Sequence, residues 1–239
     1  MSSSLQGQSA IVVGASSGMG RAIAASLAEQ GARVLAAARR QERLDELAAK
    51  VPGIIPMAVD VTKPHDVAAL MAAAKSQLER VDLLVYATGT NLRERSLRDV
   101  TPLGWHELLE ANLTGAFYCT HGVLPMMREQ GGGLIVYLSS AAVQRPDVSG
   151  VAYQASKHGL VGLALGTRVE EKAHGIRTTV LFPGLCDTEI LMKRPTPTPQ
   201  EVLDQALSPE DVAAAVLFLA QLPPRAMVPE LPLVPSRLW

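Results

Sequence analysis

One feature of this chain constrains its fold more than any other, and it is an alternation. Short runs of Val, Ile, Leu and Ala recur at residues 10–13, 33–37, 54–59, 82–86, 134–138, 178–182 and, more briefly, 231–234. Between them lie longer segments, opening at Met19, Gln41, Pro64, Pro102, Ala152 and Pro209, with apolar spacings of three to four such as Ile23/Leu27 and Leu44/Leu47. Runs apolar at nearly every position suit strands covered on both faces, and the longer spacing suits helices lying on them. Strand, helix, strand in succession then predicts an α/β fold, a parallel doubly wound sheet of about seven strands joined by right-handed crossovers. The Pro-dense stretches are 194–199 and the tail 223–235. The first falls between the sixth strand and the last helix, so it reads as part of a substrate lid, about 185–208, within a single domain spanning 1–239.

Charge and cysteines narrow the function classes. With 22 Lys+Arg against 23 Asp+Glu and no basic block longer than Arg39-Arg40, neither nucleic acid nor an anionic membrane surface is an expected partner. The first six residues form no apolar leader, and no apolar run approaches the roughly 18 residues of a membrane span, so a cytoplasmic protein is expected. Cys119 and Cys186 stand apart, without metal-ligand spacing or disulfide density, and are expected as reduced thiols with no metal site.

Two groups of residues carry chemistry. Gly14-Ala-Ser-Ser-Gly18-Met-Gly20 follows the first strand and opens a helix. Glycines permit close backbone approach, and a helix N-terminus offers unpaired N–H groups at its positive end, a seat for a pyrophosphate. Farther on, Ser139-Ser140 ends the fifth strand, and Tyr153 and Lys157 share one face of the helix that follows. A phenol titrating near pH 10 serves as acid and base near neutrality only where a fixed positive charge stabilises its anion, and Lys157 stands where it could supply that charge.

Together these features resemble the short-chain dehydrogenase/reductase family, over nearly the whole chain from Ala10 to about Leu219, with its Rossmann-like sheet. Residues 14–20 match the family's glycine motif, and Asn112 in Ala-Asn-Leu-Thr-Gly matches its helix Asn. Ser140 precedes Tyr153 at the family interval, and Pro183, Gly184 and Thr188 match the motif after the sixth strand. The resemblance implies that Tyr153 passes the substrate's proton, that Lys157 lowers its pKa and holds the nicotinamide ribose, that Ser140 orients the carbonyl, and that Asn112 positions a proton-relay water. It also implies cofactor contacts at Gly14, Ser16, Ser17, Gly18, Met19, Gly20, Asp60, Val61, Ala87, Gly89, Tyr153, Lys157, Pro183, Gly184, Cys186 and Thr188. Where NAD-using relatives place a carboxylate at the end of the second strand, this chain has Ala38 followed by Arg39. An arginine fork pairs well with a 2′-phosphate, so NADP(H) is expected in preference to NAD(H). Two departures stand out: Val13 precedes the first glycine, and Tyr86-Ala87-Thr88-Gly89 replaces the usual N-N-A-G, removing two Asn side chains that tie the central strands.

The expected substrate is a small to medium apolar carbonyl compound or secondary alcohol, bounded by residues 143–150 and 185–198. Dehydrogenation of a small 3-hydroxy acid, paired to Arg145 or Arg194, is the alternative, as is an NADP(H)-sensing protein of the same fold without turnover. Residues 111–127 carry no Asp, Glu, Lys or Arg, and between 151 and 166 Lys157 is the sole charge. Helices apolar all round must be covered on both sides. A homodimer or homotetramer paired through these helices is expected, with Ala155, Gly162, Gly166 and Val169 facing the partner.

Overall fold

The structure, a computed structural model, describes residues 5–238. Its strands are β1 (Ser9–Val13), β2 (Arg33–Ala38), β3 (Ile54–Ala58), β4 (Leu83–Tyr86), β5 (Gly133–Leu138), β6 (Ile176–Pro183) and β7 (Glu230–Leu233). They form one seven-stranded sheet in the order β3-β2-β1-β4-β5-β6-β7, and every pairing is parallel. This is the Rossmann-like doubly wound sheet the alternation calls for. The order reverses between β1 and β4, so their carboxyl ends diverge and open a crevice there.

The helices are α1 (Gly18–Glu29), α2 (Gln41–Lys50), α3 (Pro64–Leu78), α4 (Pro102–Leu109), α5 (Gly115–Glu129), α6 (Val151–Glu171), α7 (Gln200–Leu203) and α8 (Pro209–Ala220). Side chains alternate across a strand. Ala10 and Val12 accordingly join the core under α1, α2 and α8, while Ile11 and Val13 join the core under α3, α5 and α6. That two-sided burial is why the strands read as continuous apolar runs. α8 starts where Ser208 and Asp211 form a reciprocal capping box and Pro209 supplies the fixed backbone angle of a first turn.

One stretch departs from a plain helix. Between α4 and α5, residues Glu110–Thr114 form a π turn, and the N–H of Gly115 reaches back five residues to the carbonyl of Glu110. Beyond β6 the chain makes an excursion and returns. Leu207 N–H donates to the Leu185 carbonyl at 2.9 Å and Asp187 N–H to the Leu207 carbonyl at 2.9 Å, pinning both ends of the excursion at one point. β7 is an edge strand whose Pro232 presents no donor to solvent, a suitable residue for a protected edge. Among the described residues no helix is long and apolar enough to cross a membrane.

Candidate active site

The carboxyl ends of the strands from β1 to β6 open into one cleft of about 1430 Å³. The turn from β1 to α1 forms its floor at one end. Gly14 has φ +95°, and a Cβ there would lie 2.8 Å from the backbone of Ala87 and of Thr88. Gly20, in the first turn of α1, abuts the Gly14 carbonyl so closely that no side chain fits. Ser17 makes no side-chain cap and the first turn holds no carboxylate, so the positive end of α1 faces the cleft undiluted.

Two arginines stand beside that turn. Arg39 lines the cleft and its charge helps hold the Asp60 carboxyl down. Burial opposes ionisation of Asp60, but hydrogen bonds from the backbone and hydroxyl of Thr62, with the charges of Arg39 and Lys63, outweigh it and keep the pKa below the usual carboxylate value. Arg40 is committed differently. Its Nη2 donates to Ser16 Oγ at 3.0 Å and to Ser17 Oγ at 2.6 Å, while Nη1 meets Glu189 Oε2 at 3.0 Å. Arg43 pairs with the same Glu189, so the segment after β6 is fastened to the glycine turn. The sequence reading singled out Arg39 and missed Arg40 as a partner of the turn; the Arg39-Arg40 doublet was the signal.

The end of β5 gathers the reactive groups. Ser139 Oγ donates to the Lys157 carbonyl at 2.9 Å and Lys157 Nζ to the Leu138 carbonyl at 2.8 Å, locking α6 onto the strand. Tyr153, one turn earlier, faces the same cleft as Ser140. Lys157 Nζ lies 5.8 Å from the centre of the Tyr153 ring and beneath Gly89, where a Cβ would come within 3.2 Å of it. Burial pushes the Lys157 ammonium down to about 8. Burial pushes the Tyr153 phenol above its ordinary value; Ser140, Arg95 and Arg194 pull it back and Asp147 works against them. Lys157 points its hydrogen bond at the Leu138 carbonyl while its charge stays beside the Tyr153 ring.

Every residue singled out from the sequence as a catalytic or cofactor-contacting group lines this cleft except Asn112. Asn112 is fully buried in the π turn; its Oδ1 accepts from Thr90 N–H at 2.8 Å and its Nδ2 donates to the Thr90 carbonyl and to Ser156 Oγ, each at 3.0 Å. Its side chain holds the Thr90 backbone and the Ser156 hydroxyl. The Tyr86 departure also resolves. Tyr86 Oη donates to the Ala111 carbonyl at 2.6 Å, so a phenol joins the end of β4 to the π turn where Asn side chains were expected to be missed. Cys186 lines the cleft, but burial, with Asp211, Asp187 and Glu210 nearby, pushes its thiol up to about 12, which makes it a poor nucleophile.

The glycine cradle, the open helix end, the arginines and the length of the cleft fit a dinucleotide. A sequence profile described as short chain dehydrogenase matches residues 8–198, and the chain belongs to that family. It is thus an oxidoreductase of the kind that works with a nicotinamide cofactor. Among its relatives, the short chain dehydrogenase/reductase astE of Aspergillus oryzae is 34% identical, over 91% of this chain and 89% of that protein. The closed form of serine dehydrogenase complexed with NADP+ superposes with a TM-score of 0.89 at 28% identity, covering 97% of this chain and 96% of the other. The 3-ketoacyl-(acyl-carrier-protein) reductase from Brucella melitensis complexed with NADH gives 0.88 at 25% identity, covering 98% and 99%.

Proposed function

We propose that this protein is an NADP(H)-dependent short-chain alcohol dehydrogenase or carbonyl reductase, acting on a carbonyl or secondary alcohol of a small to medium substrate. The observation that carries this reading is the convergence of Ser140, Tyr153 and Lys157 at the end of β5, facing the same cleft as the glycine turn. The bound nicotinamide supplies the hydride. Tyr153, protonated at neutral pH, donates its proton to the carbonyl oxygen, and the Ser140 hydroxyl orients that oxygen. Lys157 places a positive charge beside the phenolate that forms and hydrogen-bonds the ribose. Asn112 is a positioning residue: it fixes Thr90 and, with it, the cleft wall beside Gly89. The preference for NADP(H) is supported by Ala38 where a ribose-binding carboxylate would stand and by Arg39 in the cleft wall.

Residues 185–208 serve as the lid, and with Leu92 and Leu103 opposite, Leu191 and Met192 give the substrate's carbon skeleton an apolar wall. A small 3-hydroxy acid is the second reading, favoured by Lys193 and Arg194 in the same wall. Both cysteines are unpaired and buried, which suits a reducing compartment, and we assign the activity to the cytoplasm. Titration with NADPH and NADH, followed by a panel of carbonyls and alcohols read through NADPH absorbance, tests the assignment. Tight NADPH binding with turnover is the expected result. Binding without turnover of any carbonyl would make the protein a sensor, and failure to bind either cofactor would overturn the reading altogether.

A further inference from the structure

Tyr153 sits in the least supported part of the helix that carries it. It is the third residue of α6, whose N-cap is Gly150 at φ +93°, a residue with no side chain to close the first turn, and no carboxylate stands in that turn. Helix ends in this state fray, and a fraying first turn would swing the phenol away from Ser140. Two neighbours supply the missing support. Ser156, fully buried, accepts from Asn112 Nδ2 at 3.0 Å and donates its own proton to the Tyr153 carbonyl at 2.8 Å, so the Tyr153 backbone is held from within α6. The second is the loop between β4 and α4, which grips the residue just before the N-cap: Asn91 Nδ2 donates to the Ser149 carbonyl at 2.9 Å.

Asn91 is buried, and both ends of its amide are committed. Its Oδ1 accepts the Leu92 N–H at 2.7 Å, which fixes the amide in one orientation and aims Nδ2 at Ser149. Asn91, Ser149, Ser140 and Tyr153 all line the cleft, so this bond belongs to the wall beside the reacting groups. The loop that carries Asn91 is itself anchored. Thr90, its neighbour, is held by Asn112 through both N–H and carbonyl, and Lys193 Nζ donates to Thr90 Oγ1 at 2.7 Å. Farther along the same loop the Arg95 backbone lies against Gly150 so closely that any Cβ there would collide with it. Ser149 is fastened on its own side as well: its N–H donates to Asp147 Oδ1 at 2.9 Å, and Gln154 Nε2 donates to its Oγ at 3.3 Å. The position of the loop is thereby carried, through one side-chain amide, to the start of α6.

We propose that Asn91 is a positioning residue for the proton donor: by holding the Ser149 carbonyl it stands in for the absent helix cap and keeps Tyr153 aimed at the oxygen that Ser140 orients. This rests on the reductase reading and adds to it a residue outside the Ser140, Tyr153 and Lys157 group. Misplacing a reacting group by about 1 Å costs on the order of a hundredfold in rate. Asn91→Ala should therefore lower kcat by about ten- to a hundred-fold, with KM for the carbonyl and NADPH affinity little changed. Asn91→Asp keeps the volume and the acceptor for the Leu92 N–H but, ionised, has no donor for Ser149; it should lose activity as the alanine variant does, and it carries the test where Asn91→Ala does not fold. The deciding measurement is a double-mutant cycle on the NADPH-loaded enzyme. In a Tyr153→Phe background there is no proton to aim, so losing the Asn91 amide should cost little more, whereas a role confined to general folding multiplies its loss through both backgrounds. Wild-type kcat in Asn91→Asp, or equal fold-losses in the two backgrounds, would overturn the positioning role and leave the reductase reading standing on the loss caused by Tyr153→Phe alone. No turnover of any carbonyl by a wild-type chain that binds NADPH would overturn both.

Discussion

Lys157 is buried and Tyr153 half-buried, and burial drives their proton affinities in opposite directions because one loses its charge on protonation and the other gains it. The phenol, above its ordinary value, keeps its proton through the neutral range. Lys157, down to about 8, loses its charge as pH rises through that value. The charge that supports the nascent phenolate is therefore present below about pH 8 and lost above it, and kcat/KM for carbonyl reduction should fall with a limb near there. A profile flat to about pH 10, the ordinary phenol value, would remove Lys157 from the reaction. Tyr153→Phe keeps the ring and deletes the proton, so kcat should drop by roughly 10²–10⁴ while NADPH binding persists; retention of about a tenth of the activity would sink the assignment. The two arginines at the other end should separate as well. Arg39→Ala should weaken NADPH by roughly ten- to a hundred-fold and leave NADH almost untouched. Arg40→Ala should weaken both, because Arg40 also braces Ser16 and Ser17 of the turn that every dinucleotide uses. Equal losses for both cofactors in Arg39→Ala would show that Arg39 does not read the phosphate.

Strands and helix starts were legible because burial on two faces leaves an unbroken apolar run and because prolines mark first turns, as at Pro64, Pro102 and Pro209. The π turn at Glu110–Thr114 was not, since one extra residue in a turn barely disturbs a three-to-four spacing. The candidate trio Ser140, Tyr153 and Lys157 and the glycine turn were readable as local patterns. Asn91 was invisible for the opposite reason: it lies in a segment without periodicity, and its partner Ser149 is 58 residues away. The Tyr86 departure looked like a loss because a missing Asn is evident in a string of letters and a new phenol-to-carbonyl bond is not. Tyr86→Phe should measure that bond. It leaves the part-buried Ala111 carbonyl without the phenol, a loss of about 0.5–1.5 kcal/mol, seen as a lower urea midpoint at constant m. An unchanged midpoint would show that the link between β4 and the π turn adds nothing to stability.

At the scale of the molecule, α5 and α6 turn Phe117, Leu165 and Val169 to solvent, with Val169 68% exposed, while Leu160 and Ala164 of α6 are wholly buried against the sheet. Between the exposed side chains lie Gly162 and Gly166, where an added Cβ meets nothing within 4 Å. We infer that a second copy covers this face, as expected of helices nearly free of charge. Gly162→Glu fits the single chain without a clash, so it should leave the urea midpoint of the fold little changed while light scattering shows the assembly falling apart. A wild-type chain scattering as a 25.4 kDa monomer at micromolar concentration would defeat the idea. The pinned foot of the proposed lid, where Leu185 and Leu207 meet, bears on how such an enzyme diversifies. The backbone of the excursion leaves and rejoins the body at one point, with side-chain ties at Glu189 and Lys193 between, so the excursion is a cassette. Lengthening it costs little loop-closure entropy and moves neither β5 nor α6. A lid grafted from another member of the family should exchange one substrate for another while proton and hydride still travel over the same floor.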